Sequence, residues 1–180
     1  MKFTPLDIDG AFLVEIERIS DDRGFFARAW CEDEFADAGI DVDFVQANIA
    51  RTGERGTLRG LHFQVDPAGE AKLIRCTRGR VFDAAVDLRP DSSTRGRSIG
   101  IELDSSKQNM VFIPAGCAHG YQVLESDSDV FYLVSHRYAP DAERGLLWND
   151  PALGIDWPIQ ENVKVSDKDA ALPRLAELEL

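Results

Sequence analysis

Short apolar runs alternate with polar positions along most of the chain, and turn-forming residues separate them. This spacing, without long helices in between, is typical of an all-β sandwich or barrel. The separating segments include RTGERG, TRGR, RPDSSTRG and PAGC, which hold the Gly, Pro, Asp and Ser that turns require. The predicted strands are Ala11–Ile19, Gly24–Trp30, Phe44–Arg51, Thr57–Phe63, Ala71–Thr77, Arg80–Leu88, Ser98–Leu103, Asn109–Ile113, Tyr121–Leu124 and Val130–His136.

Helix patterns occur in only two places. The segment CEDEFADAG is acidic near its start and ends at Gly39, and the tail segment SDKDAALPRLAEL has a helical composition. The chain contains no internal repeat and no interior linker. We therefore predict one all-β domain over residues 1–180, with N-terminal strands and a short C-terminal helical tail.

Charge narrows the possible partners. Acidic residues outnumber basic ones by 32 to 20, so the formal net charge is -12 and the pI is near 4.6. This balance disfavours nucleic acid or an anionic membrane as the main partner, although a few converging arginines still create a local anion site. The N-terminal segment MKFTPLDIDGAFLVEI fits neither a signal peptide nor a membrane span. Three widely spaced cysteines predict free thiols in a reducing cytoplasm.

The segment TLRGLHFQ has strand alternation, yet it carries Arg59, Gly60 and His62 where a structural strand would carry branched apolar residues. Alternation places Arg59 and His62 on opposite faces. If both residues serve one site, the strand must be bulged between them, and glycine permits a bulge. The alternative is a hydrogen-bonded barrel histidine beside a surface arginine.

Three other stretches carry possible chemistry. In FIPAGCAHGYQV, His119 is predicted in a glycine-flanked turn, where backbone approaches a ligand closely. In AKLIRC, Lys72 shares a strand face with apolar residues, so its ammonium must be paired or functional, and Asp83 is a plausible partner. In DVFYLVSHRYAP, Tyr132 and Tyr138 share a face, which by itself is also compatible with simple packing.

Taken together, a series of segments resembles the dTDP-4-dehydrorhamnose 3,5-epimerases of nucleotide-sugar metabolism, in their order and over nearly the whole chain. The segments are DDRGFFARAW, FVQANIA, TLRGLHFQ, AKLIRC, VFDAAVDLR, IPAGCAHGY, YLVSHRYAPDAERGLLWNDPALGIDWP and SDKDA. The resemblance implies a cupin-type jelly-roll barrel with short flanking helices, a homodimer, and neither a metal nor another cofactor. HFQ supplies one histidine where metal-binding cupins usually have a pair, and His62 and His119 alone are too few protein ligands for a zinc-type site.

The resemblance also implies a reaction. A nucleotide-activated 4-keto-6-deoxy sugar is epimerised at C3 and C5 through an enolate, which converts dTDP-4-dehydro-6-deoxy-D-glucose into dTDP-4-dehydro-L-rhamnose. The implied catalytic residues are the base His62, its partner Asp169, the enolate-stabilising Lys72 and the acid Tyr132. The implied substrate-binding residues are Arg23 and Arg59, which hold the diphosphate, and Gln46, Asn48, His119, Tyr138, Glu143 and Lys168.

The chain departs from the family pattern at several positions. Arg28 stands where the family usually has a glutamate associated with nucleotide binding. The sequence therefore leaves open which nucleobase the substrate carries. Gly69 and Glu70 replace the family's AQ, and Leu133 replaces a common lysine. Other readings are an epimerase acting at C3 or C5 alone, a 3,4-ketoisomerase-like relative, a non-catalytic sugar-nucleotide-binding module, and a metal-dependent cupin.

Overall fold

A computed structural model describes residues 1–178, and strands dominate it. The strands are β1 Lys2–Pro5, β2 Phe12–Glu15, β3 Ile19–Asp21, β4 Gly24–Phe26, β5 Gln46–Thr52, β6 Leu58–Gln64, β7 Lys72–Arg78, β8 Arg80–Asp87, β9 Ser98–Asp104, β10 Met110–Ile113, β11 Cys117–Val123, β12 Ser128–Val134 and β13 Glu143–Gly145. The short α-helices are α1 Glu32–Asp37 and α2 Asp167–Ala170, and 3-10 turns occupy Pro140–Ala142, Pro151–Leu153 and Leu175–Glu177. The predicted all-β class with short helices is confirmed.

Two antiparallel sheets face each other. One has the strand order β1-β2-β10-β7-β12-β5, the other has the order β13-β6-β11-β8-β9, and β3 and β4 form a separate hairpin. Apolar side chains from both sheets meet between them, including Ile74 and Cys76 of β7 and Val81 and Ala85 of β8. Lys72 shares the parity of Ile74 and Cys76, so its side chain enters the same interior, as the alternation predicts.

Part of the outer face of each sheet is also covered. Phe35 of α1 packs with Leu73, Met110 and Phe112 over the larger sheet. The C-terminal segment covers the smaller sheet, where Trp157 belongs to a second cluster. Because they are covered on both sides, β10 and β11 are buried at every position. This explains why their sequences are less strictly alternating than those of half-exposed strands.

One strand boundary corrects a sequence prediction that matters for the site. His119 was predicted in a turn, but it lies within β11, which begins at Cys117. The turn is formed earlier, at Gly116, whose φ of +82° favours glycine. Gly120 is a strand residue whose small size lets β6 and β11 approach closely, because a Cβ there would lie 2.7 Å from the Arg59 carbonyl oxygen.

The predicted helices are shorter than their sequence segments. The tail contains the four-residue α2 and, after Pro173, the 3-10 turn Leu175–Glu177. The predicted domain of residues 1–180 includes Glu179 and Leu180, which lie outside the described residues. Within residues 1–178, no helix is long and apolar enough to cross a bilayer.

Candidate active site

A cleft opens between the two sheets and has two adjoining lobes. The Arg59 lobe has a volume of about 500 Å³ and is lined by Ala50, Thr57, Leu58, Arg59, His62, Lys72, His119, Tyr121, Tyr132, Lys164, Val165, Ser166 and Asp169. The Glu143 lobe has a volume of about 290 Å³ and is lined by Gln46, Asn48, His62, Phe63, Gln64, Glu70, Lys72, Tyr132, Val134, Tyr138 and Glu143. His62, Lys72 and Tyr132 line both lobes. The cleft therefore contains every sequence-predicted site residue except Arg23 and Lys168.

The bulge predicted in β6 is present at Gly60. Its φ is +124°, and a Cβ there would lie 2.6 Å from the Gly120 Cα atom, so only glycine fits without strain. The pairing of β6 with β11 changes register at this point. As a result, Arg59 and His62 line the same lobe despite the strict alternation of a regular strand.

The bulge also connects His62 to Asp169. The Nε2 atom of His62 lies 2.7 Å from Oδ1 of Asp169, while the amide of Gly60 donates to Oδ2 at 3.2 Å. Asp169 is buried and follows Ser166, whose hydroxyl accepts a hydrogen bond from the Asp169 amide at 3.1 Å. Backbone pairing of Leu58 with Lys164 holds this C-terminal segment beside β6. The carboxylate is thus fixed on both oxygens and orients the imidazole.

Tyr132 and His62 approach the cleft from different sheets. His62 lies on β6 of the smaller sheet, and Tyr132 lies on β12 of the larger sheet. Burial raises the pKa of the Tyr132 phenol above its ordinary value, and the nearby negative charge of Glu70 raises it further. The phenol is therefore protonated at neutral pH and is able to donate a proton.

The partner predicted for Lys72 is wrong. Lys72 Nζ lies 3.1 Å from Oε1 of Glu70, whereas Asp83 lies 2.9 Å from Nε2 of His119. Asp83 is on β8 and faces β11, where Tyr121 is its register partner, so its carboxylate reaches the neighbouring His119 diagonally. Glu70 lies two residues before Lys72, the first residue of β7, and residues two apart share a face of an extended segment, so local spacing also favours this pair.

Arg59 is an exposed residue that lines its lobe. Its Nε atom donates to the Thr52 hydroxyl at 3.0 Å, and Nη2 donates to the Arg51 carbonyl at 3.4 Å. The guanidinium is held by neutral oxygens rather than by a carboxylate. It therefore keeps its charge available for an anionic ligand.

Three predicted binding residues meet at the rim. Glu143 accepts hydrogen bonds from the Tyr138 hydroxyl at 3.0 Å and from Lys168 Nζ at 2.7 Å. Although burial opposes it, these hydrogen bonds lower the pKa of Glu143. On the opposite wall, Gln46 Nε2 donates to the Asn48 side chain at 3.0 Å. The rim is therefore polar and internally hydrogen-bonded.

Comparisons with known proteins agree with this geometry. The model of the dTDP-4-dehydrorhamnose 3,5-epimerase family matches residues 5–177. A Pseudomonas aeruginosa protein of that name is 45% identical over 170 residues, which cover 94% of this chain and 93% of the relative. The chain belongs to the dTDP-4-dehydrorhamnose 3,5-epimerase family.

Solved structures of related epimerases share the fold. A dTDP-6-deoxy-D-glucose-3,5-epimerase from Legionella pneumophila, solved in complex with dTDP-4-keto-L-rhamnose, has a TM-score of 0.92 and 36% identity, covering 99% of this chain and 94% of that one. A 3'-monoepimerase from Streptomyces bikiniensis, solved in complex with dTDP-quinovose, has a TM-score of 0.87 and 36% identity, covering 96% of this chain and 87% of that one. The predicted cupin-type jelly roll is thereby confirmed.

Two positions that the family resemblance singled out lie away from the cleft. Arg23 is at the tip of the β3–β4 hairpin, where its side chain is 85% exposed and its Nε donates to Asp21 at 3.1 Å. Arg28, which replaces the family's usual glutamate, forms an ion pair with Glu34 of α1. Within this single chain, neither arginine contributes to the predicted phosphate site.

Glu70 and Tyr121 line the cleft although sequence reasoning assigned them no role there. Glu70 was noted only as a departure from the family's AQ, and its position beside a buried lysine was the available signal. Among residues 1–178, no group of three or more His, Cys, Asp or Glu side chains is arranged to hold a metal ion. The expectation of no metal and no cofactor remains a prediction, which elemental analysis of the purified protein would test.

Proposed function

We propose that this chain epimerises dTDP-4-dehydro-6-deoxy-D-glucose at C3 and C5 to give dTDP-4-dehydro-L-rhamnose. The observation that carries the proposal is the placement of His62 and Tyr132 on opposite sheets, with both side chains lining the same cleft. Inversion at carbon requires a base on one face of the sugar and a proton donor on the other. A module that only binds a nucleotide sugar has no need of this pair.

The proton acceptor in this reaction is His62. Because its Nε2 atom is held by Asp169, the Nδ1 atom remains to accept a proton from the carbon beside the ketone. Asp169 stabilises the resulting imidazolium. Tyr132 then returns a proton from the other wall of the cleft.

Lys72 supplies the electrostatic part of the reaction. Removing a proton beside a ketone places negative charge on the ketone oxygen, and an ammonium close to that oxygen lowers the barrier. Lys72 is buried and lines both lobes next to His62 and Tyr132. Arg59, which lines the Arg59 lobe, is assigned to the diphosphate, which a guanidinium binds through paired hydrogen bonds. The predicted contacts at Gln46, Asn48, His119, Tyr138, Glu143 and Lys168 remain part of the proposal.

Proton NMR of the substrate in deuterium oxide tests the reaction. The proposal expects solvent deuterium at both C3 and C5 and a product of the L-rhamno configuration. Similarity to a 3'-monoepimerase makes single-position epimerisation the second candidate, and deuterium at one carbon only would select it. No deuterium incorporation would leave a binding module and overturn the catalytic proposal.

We also propose that the chain is a single domain and assembles as a homodimer. The β3–β4 hairpin exposes Ile19 and Phe26, each 71% accessible, and the edge strand β5 exposes Ile49 at 74%. Apolar side chains on a hairpin and on an unpaired edge are typical of surfaces that a second copy covers. In such a dimer, Arg23 at the hairpin tip would be able to enter the cleft of the second copy.

A complementation experiment tests both parts of this proposal. The His62→Ala and Arg23→Ala chains are each expected to be inactive or weakened alone. In the proposed mixed dimer, one cleft would combine His62 of one chain with Arg23 of the other. Recovery of activity after mixing and refolding is expected. A monomer by sedimentation, or no recovery from a proven mixed dimer, contradicts the assembly or the role of Arg23, respectively.

The cytoplasm is the proposed location. The three cysteines are free, and burial raises the pKa of the Cys76 thiol to about 11 and that of Cys117 to about 12. Unpaired thiols of this kind suit a reducing compartment. Cell fractionation tests the assignment, and recovery outside the cytoplasm would refute it.

A further inference from the structure

Glu70 is a charged residue of the cleft that the reaction described above does not use. Its Oε1 atom lies 3.1 Å from Lys72 Nζ, and the two side chains are only 13% and 9% exposed. Within residues 1–178, Glu70 is the ion-pair partner of Lys72. Without this partner, the nearly buried ammonium would be an unpaired charge, and its loss of hydration would not be offset by an ion pair.

The second oxygen of Glu70 is also held. Gln64 Nε2 donates to Oε2 of Glu70 at 3.2 Å and to the Ala68 carbonyl at 3.0 Å. The side-chain Oε1 atom of Gln64 in turn accepts from the Ala139 backbone amide at 2.6 Å. Gln64 is itself buried in β6, so it anchors the carboxylate to the opposite sheet. Glu70 therefore holds Lys72 at a fixed place rather than moving with it.

Glu70 also acts on Tyr132. Both residues line the Glu143 lobe. Burial has the largest effect on the pKa of the Tyr132 phenol and raises it, the negative charge of Glu70 raises it further, and the positive charge of Arg59 lowers it. A carboxylate has this effect because it disfavours a second negative charge nearby.

The other charged and titratable groups of the cleft are mostly engaged elsewhere. His62 pairs with Asp169, His119 pairs with Asp83, and Glu143 pairs with Lys168. Lys164 at the far edge pairs with Glu54, and Tyr121 is buried in the floor. Glu70 is thus the carboxylate placed to act on both Lys72 and Tyr132.

Building on the epimerase reaction proposed above, we propose that Glu70 is a positioning residue that aims the Lys72 ammonium at the ketone and keeps the Tyr132 phenol protonated. The glutamine that the family usually carries at this position has nearly the same shape but no charge. Glu70→Gln therefore removes the charge and leaves the side chain's volume in place. Glu161→Gln, an exposed position outside the cleft, is the matched control.

The first measurement is the pH dependence of kcat. Removing the Glu70 carboxylate makes phenolate easier to form, so the alkaline limb should move to lower pH in Glu70→Gln. Glu161→Gln should not shift it. On a Tyr132→Phe background, Glu70→Gln should no longer shift the alkaline limb, because the phenol is absent, but it should still slow the residual solvent exchange, because Lys72 is no longer held. A purely structural role of Glu70 would not predict this split.

The second measurement does not depend on turnover. Carbon-13 NMR of ring-labelled tyrosine follows each phenol as the pH rises, with Tyr132→Phe giving the assignment and circular dichroism confirming the fold. Tyr132 should begin to titrate at lower pH in Glu70→Gln than in Glu161→Gln. Equal titration in the two variants overturns the role of Glu70. Failure of the unmodified chain to epimerise the substrate would instead overturn the proposed function, so the two failures are distinguishable.

Discussion

His62 and Gly60 are joined through one carboxylate: Asp169 contacts the imidazole at 2.7 Å with one oxygen and accepts the Gly60 amide at 3.2 Å with the other. The bulge that turns Arg59 and His62 into the same lobe also frees the amide that fixes Asp169. The shape of the strand and the orientation of the candidate base are therefore one structural feature. A substitution that alters the bulge at Gly60 should therefore also alter the orientation of the His62 imidazole.

Replacing the imidazole tests the assignment of the base. His62→Ala is expected to abolish exchange of the sugar's C3 and C5 protons with deuterium oxide, because it removes the imidazole that Asp169 orients in the cleft. Proton NMR measures the exchange directly. Exchange at the unmodified rate in this variant would assign proton removal to a different group.

Changing the bulge tests its link to the dyad. Gly60→Ala should lower both stability and activity, because φ is +124° and the new Cβ would lie 2.6 Å from Gly120 Cα. Gly96→Ala is the control, since its φ is +81° but nothing lies within 4 Å of the added atom. The control should lose only the cost of a positive φ, about 1–2 kcal/mol. Similar thermal unfolding and similar kcat in the two variants would argue against the link.

Removing the phenol separates the two halves of the reaction. Tyr132→Phe should retain deuterium exchange, since the base remains, but should lose net inversion at one centre. The physical reason is that the proton returns only from the face of His62. NMR of the product gives the stereochemistry, and an unchanged product would remove Tyr132 from the role of acid.

The ion pairs of the cleft predict different kinetic effects for two substitutions. Lys72→Met should lower kcat by about 10²–10³-fold, because the ammonium acts on charge that develops in the transition state. Lys107→Met is the control, as this exposed lysine lies away from the cleft. Asp83→Asn should mainly raise KM, since Asp83 holds His119 rather than Lys72. An equal loss of kcat in Asp83→Asn and Lys72→Met would contradict this separation.

A buried carboxylate outside the cleft predicts a pH-dependent contribution to stability. Although burial opposes it, hydrogen bonds from Arg89, Ser92 and Thr94 hold the pKa of Asp87 far below its usual range. Asp87→Asn should therefore lower the free energy of unfolding by about 2–4 kcal/mol at neutral pH. The exposed Asp156→Asn should change it by less than about 0.5 kcal/mol.

The sign of the pH effect on Asp87 follows from its lowered pKa. The ionised group stabilises the fold fully above the pKa of the unfolded chain, about 3.9, and this stabilisation is lost as the pH falls toward the folded value. The stability difference between Asp87→Asn and the unmodified chain should therefore persist from pH 7 to pH 5 and shrink below about pH 4. Urea unfolding at several pH values measures it, and a difference that grows on acidification would be inconsistent with the network.

Local sequence predicted the strands well where both alternation and turn residues were present. β6, β7 and β8 begin within one residue of their predicted starts, because each follows a clear turn segment. β11 was misplaced because it is buried at every position, so it shows no alternation, and the glycine that forms its turn is not the one beside His119. The short strand β13 was missed because three residues carry no periodic signal.

By itself, the sequence determined the strand-rich class and the family, because these depend on local periodicity and on motifs in order. It also predicted a bulge at Gly60 on the condition that Arg59 and His62 serve one site. The tertiary structure decided which charges pair. Asp83 meets His119 because the register of β8 against β11 brings them together, which alternation along one strand cannot show. Lys72 pairs instead with Glu70, two residues away on its own segment. The tertiary structure also places Arg23 outside the cleft of its own chain, because the direction of a hairpin depends on how the hairpin packs and not on its residues alone.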